Sequence, residues 1–143
     1  GQVHIFDSSG KHVRSLRPVH DPDYVIVVNS GNESSQPLIV AGPGHGPGQL
    51  AACDSRGRVK WKTHLPARGN SSAIHAAPAP NRALLAVAKD NEAYVLDATR
   101  GKFVGATSLS EKVTGVTWLM HKNGSRSILI VGTNRQLSAF SIP

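Results

Sequence analysis

The chain has 143 residues, 39% hydrophobic and 17% charged, which is the mix of a folded domain and excludes a disordered one. Its 16 Lys and Arg against 9 Asp and Glu give a formal charge of +7, which invites a nucleic-acid or acidic-membrane hypothesis. No run approaches the ~18 apolar residues of a helical membrane span, Gly1 leads directly into a strand-like stretch so that no targeting signal is expected, and a single cysteine, Cys53, excludes an internal disulfide.

In chain order, a first predicted strand starts at Gln2 and reaches Asp7, Ser8, Ser9, Gly10 and Lys11, followed by a second at about His12 to Leu16. This is hairpin-turn chemistry: the Asp carboxylate accepts from turn amides and the Gly tolerates positive φ. Next come an apolar run from Tyr24 to Val28, a turn-rich stretch from Asn29 to Gln36, and a second run from Pro37 to Ala41. After the Gly/Pro loop Gly42 to Gly48, the opening pattern returns as Gln49 to Asp54, Gly57 and Arg58, with a strand from Val59 to Leu65.

The order then repeats. Ala73 to Ala77, Ala83 to Ala88 and Glu92 to Leu96 are predicted strands, with turns at Ala79 to Asn81 and Lys89 to Asn91. Asp97, Gly101 and Lys102 form the turn into a strand from Phe103 to Leu109. The last copy supplies Val113 to Leu119, Ile128 to Gly132 and a strand opening at Gln136, with turns at His121 to Ser125 and Thr133 to Arg135. Gln2, Gln49, Glu92 and Gln136 head the matched strand, at successive offsets of 47, 43 and 44 residues. A fixed period of this size, with four strands to the period, signals a radial or linear repeat. Continuous apolarity in the runs at 37–41, 83–88 and 128–132 suits strands covered on both faces, as stacked sheets provide.

The fold expected is all-β: four-stranded antiparallel modules, here called A to D from the inside outward. Residues 1–17 hold strands C and D of a first module, 18–65 a second, 66–109 a third, and 110–143 strands A to C of a fourth. The chain resembles the WD-repeat and quinoprotein-like β-propellers. Ala52-Cys53-Asp54, Gly57-Arg58 and Trp61 approach the quinoprotein pattern that docks a tryptophan between blades, one turn residue short. Asp97 to Gly105 has the full spacing without the tryptophan. Val113, Val116 and Trp118 resemble strand A of a WD repeat. About three blades are visible and propellers close with about four to eight, so either the chain is a piece of a longer protein or copies associate into a homo-oligomer that completes the ring.

The resemblance implies a recognition scaffold with a protein partner, and no enzyme activity is expected. A quinone-cofactor dehydrogenase segment is the alternative that the tryptophan-docking resemblance raises; members of that family use calcium, an axial carboxylate and commonly a vicinal disulfide. One cysteine and no spare axial carboxylate set this chain apart, so no cofactor, metal or catalytic residue is expected. Gly42 to Gly48 fits neither phosphate-loop spacing and leads into a strand, not a helix. His75 is expected as a satisfied core histidine, with the axial channel as its alternative.

Candidate partner contacts lie in the loops, at His20, Asp21, Asp23, His45 and Arg68. Arg56, Arg58, Lys60 and Lys62 form the densest basic group, with smaller ones at Lys11, Arg14 and Arg17 and at Arg100 and Lys102. They recur where an outer edge strand is expected, and positive charge there opposes edge-to-edge pairing. Binding of nucleic acid or another polyanion is the alternative, against which stand the 5% aromatics. Three sequons, at Asn32, Asn70 and Asn123, fall in predicted loops.

Overall fold

The Asp-to-Gly turns set the frame of the structure, a computed structural model that describes residues 1–20, 22–29, 36–43, 48–66, 74–80, 82–120 and 127–142. At each turn the Gly N–H donates to the Asp carbonyl, at 3.0 Å for Gly10, 2.9 Å for Gly57 and 2.8 Å for Gly101. The three glycines have φ of 81°, 83° and 68°, a region open to Gly at no steric cost. Asp side chains close the turns from inside: Asp7 Oδ1 accepts from Ser9 and Lys11 N–H, and Asp54 Oδ1 from Arg56 and Arg58 N–H. A register shift follows each turn, between Ile5 and Phe6, Ala52 and Cys53, and Phe103 and Gly105. This is the bulge that follows a tight turn with a left-handed Gly.

Among the described residues thirteen strands result: β1 (Val3–Phe6), β2 (His12–Leu16), β3 (Tyr24–Val28), β4 (Leu38–Gly42), β5 (Gln49–Cys53), β6 (Val59–His64), β7 (Ile74–Pro78), β8 (Leu84–Lys89), β9 (Glu92–Asp97), β10 (Lys102–Ser108), β11 (Val113–Met120), β12 (Ser127–Thr133) and β13 (Leu137–Ile142). They form four antiparallel sheets in simple up-and-down order: β1-β2, β3-β4-β5-β6, β7-β8-β9-β10 and β11-β12-β13. No helix occurs among the described residues. The expected strands are present, with several ends moved by one residue where the ladder continues into the turn.

Alternation along the central strands explains how the sheets stack. In the second sheet Ala41, Ala51 and Cys53 pack toward the first sheet, against Val3, Leu16 and Val19. Val40, Leu50 and Ala52 point the other way, to Leu85, Val87, Tyr94 and Leu96 of the third sheet. There the intervening residues Ala86, Ala88, Ala93 and Val95 meet Val113, Leu129 and Val131 of the fourth. Burying a side chain of this size contributes about 1.5–3 kcal/mol, so three such layers hold the sheets in sequence. β12 departs from the expectation of coverage on both faces. Leu129 and Val131 are buried while Ile128 and Ile130 are half-exposed, because no described strand packs on that side of the fourth sheet.

Two tryptophans lock neighbouring sheets. Trp61 on β6 donates its indole N–H to Ala98 O in the next sheet at 2.9 Å, and Thr63 Oγ1 donates to Gly101 O at 2.6 Å. A Cβ on Gly101 would stand 2.5 Å from the Trp61 ring, so the close approach needs glycine. Trp118 on β11 donates to Ala77 O of β7 at 2.9 Å. Leu16 takes the position equivalent to Thr63 and rests on Gly57, whose added Cβ would lie 2.7 Å from it.

Candidate interaction surfaces

Up-and-down strand order puts the D-to-A and B-to-C connections at one end of every sheet, and main-chain hydrogen bonds tie them together there. Asp23 N–H donates to Gly42 O at 3.0 Å, Leu65 N–H to Gly48 O at 2.7 Å, Leu109 N–H to Asn91 O at 2.7 Å and Val113 N–H to Asp90 O at 2.6 Å. His20 and Asp23 are exposed at this end. Asp21, His45 and Arg68 lie outside the described residues, as do the three sequons. Glu111 and Arg135 pair at 3.4 Å on the same end, where Thr133 Oγ1 donates to Glu111.

The basic group gathers at the opposite end and along an outer edge. Among the described strands β6 is the last of its sheet and pairs only with β5. Arg56, Arg58 and Lys60, with Gln36, Leu38, Asp54 and Ser55, line a cleft of about 380 Å³. Lys62 is exposed farther along β6. Asp54 sits at the centre: Arg58 Nε donates to its Oδ2 at 2.8 Å and Lys60 Nζ lies 3.5 Å from the same oxygen. Burial opposes ionisation of Asp54, but hydrogen bonds from the Arg58 N–H and guanidinium and the Arg56 N–H, with the Arg58 charge, outweigh it and hold its pKa at about 2. No acidic partner of the Arg56 guanidinium occurs among the described residues. The smaller basic groups lie on the other edges, Arg14 on β2 and Lys102 on β10.

A second depression, about 280 Å³, opens between the inner strands β3, β7 and β11, lined by Tyr24, Ile26, Ile74, His75, Ala76, Gly115 and Val116. His75 is half-buried there and its ring has no hydrogen-bond partner among the described residues, so the axial alternative describes its place better than a satisfied core. Burial, then the Lys112 charge, pushes its pKa down. The Tyr24 ring lies over Gly42, with its hydroxyl buried and without a hydrogen-bond partner among the described residues, and burial pushes the phenol pKa up. Cys53 is fully buried, and burial and the neighbouring Asp54 charge raise its thiol pKa. Among the described residues no three His, Cys, Asp or Glu side chains gather as a metal set.

Sequence spacing brought out Arg56, Arg58 and Lys60 but missed Gln36 and Leu38, which β4 carries to the cleft by pairing with β5. Lys89, fully buried at the end of β8, carried no signal that a surface cation would lack.

No protein-family model and no curated protein sequence matches the chain. Solved structures do. BamB from Moraxella catarrhalis matches 99% of the chain at 13% identity and a TM-score of 0.66, over 37% of its own length. BBS1N, solved in complex with ARL6DN, matches 98% at 12% identity and a TM-score of 0.70, over 47% of its length. The Cps50 (Swd1) β-propeller domain of Myceliophteria thermophila matches 92% at 17% identity and a TM-score of 0.52, over 41% of its length. The fold is that of a β-propeller segment. Its sheets are the blades, and the chain spans less than half the length of these propeller proteins.

Proposed function

We propose that the chain is part of a non-enzymatic scaffold that presents the loops at one end of its blades to a protein partner. The observation that carries this reading is how those loops are seated. Each described connection is pinned at its base by a main-chain hydrogen bond, on blades locked together by Trp61 and Trp118. Loops on a rigid frame bind with little ordering cost at the base while their tips set specificity. One propeller of similar fold, BBS1N, was solved in complex with ARL6DN, which supports the reading by analogy alone.

Photo-crosslinking tests it. Benzoylphenylalanine placed at Asp23, on the loop end, is compared with the same group at Thr99, on the turn end, in extract of the source cells. A protein crosslinked from Asp23 and not from Thr99, then rebound as a purified component, is the expected result. Equal labelling from both ends, or none from Asp23, overturns the proposal.

A further inference from the structure

We propose that the basic cleft along the outer edge of the second blade docks an acidic, extended segment of a partner protein. The inference rests on the scaffold reading and names the chemistry of a second contact surface. Among the described residues three cations line the cleft against one carboxylate, and that carboxylate is engaged by two turn amides, Arg58 and Lys60. The Arg58 contact uses Nε, leaving both Nη groups for another acceptor. Arg56 adds a charge without an acidic partner among the described residues, so the cleft keeps a positive excess.

The geometry suits an extended chain. Lys60 is the extra residue of the β6 bulge and reaches Asp54 in the cleft, while Lys62 stands exposed one residue beyond buried Trp61, so both charges lie along the same edge strand. Among the described strands β6 has a partner on one side only, so its outward main-chain groups are placed to pair with such a segment. Nucleic acid fits less well, because no aromatic ring among the described residues lines the cleft on which a base would stack.

The test uses the whole chain and a fluorescein-labelled octapeptide of alternating Glu and Val, read by anisotropy. Arg56→Glu with Lys62→Glu leaves both side-chain partners of Asp54 in place, and circular dichroism checks that the variant is folded. Two exposed pairs turned from attractive to repulsive are expected to weaken binding about tenfold, and Lys102→Glu on β10 is expected to leave it unchanged. An unchanged affinity in the double variant overturns the proposal. Octathymidylate binding as tightly as the peptide, or phosphate displacing it at millimolar concentration, also overturns it in favour of a general anion surface. If the double variant still crosslinks its partner from Asp23, the scaffold reading stands whatever the peptide does.

Discussion

Replacing Trp61 and Gly101, singly and together, measures the lock between the second and third blades. Trp61 is 8% exposed and its N–H satisfies Ala98 O at 2.9 Å. Trp61→Ala removes the ring and orphans that carbonyl, at a cost of about 3–5 kcal/mol. Gly101→Ala forces a Cβ into φ of 68° and to 2.5 Å from the ring. The backbone part costs about 1–2 kcal/mol, and overlap with a ring held on both sides costs about 1–3 kcal/mol. With alanine at 61 the ring overlap vanishes. Thr63 Oγ1, 2.7 Å from the same Cβ, remains and can rotate away with loss of its bond to Gly101 O. The double variant is therefore expected to be more stable than the sum of the singles by about 1 kcal/mol or more. Urea unfolding followed by far-UV circular dichroism gives the four midpoints and slopes needed. Additivity within about 0.5 kcal/mol refutes the contact.

Trp118→Phe removes the donor to Ala77 O and is expected to cost about 1–3 kcal/mol in the same assay; an unchanged midpoint would show that the bond contributes nothing to blade stacking. Acid should destabilise the chain. Ser9 and Lys11 bonds lower the Asp7 pKa, and turn bonds keep Asp54 at about 2 and Asp97 low although burial works to raise both. Below pH ~4 the unfolded chain binds protons at these carboxylates first, so their contribution to stability is full above that value and falls as pH drops toward the folded-state values. His75, also lowered, starts the same trend below pH ~6.5. A denaturation midpoint that is flat or rising from pH ~7 to ~2 contradicts this. Cys53, fully buried with a raised thiol pKa, is expected to react with a thiol reagent only on unfolding; rapid labelling of the native chain would place it elsewhere.

The period and the strand order were legible because their signals are local. An Asp, a Gly and a cation at fixed spacing define a turn wherever they occur, and alternation on either side defines the strands. Trp61 was legible through the resemblance of its stretch to the quinoprotein pattern that docks a tryptophan between blades. What could not be read depends on pairing between segments far apart in sequence. Tyr24 lies over Gly42 only because β3 pairs with β4 in one register. Trp118 reaches Ala77, 41 residues away, only once β11 stands beside β7. The exposure of Ile128 and Ile130 was hidden likewise, because an apolar run reports what a strand can bury and not whether a neighbour is there to cover it.

The cations on β6 were expected to guard an open edge against pairing, and the structure allows that role to be weighed against docking. Among the described strands β10 is likewise an open edge, with a bulge beside its turn as β6 has; it carries Lys102, with Arg100 in the turn, and leaves Phe103 and Val104 exposed. If a bulge and two charges suffice there, guarding alone does not account for Lys60 and Lys62 on β6 together with Arg56 and Arg58 in its turn. Repulsion is also selective in sign. The charges that turn away the basic edge of another copy attract a strand bearing carboxylates. The same four residues therefore exclude the commonest wrong partner and favour one chemical class of right one, which is how specificity arises from a difference between two affinities.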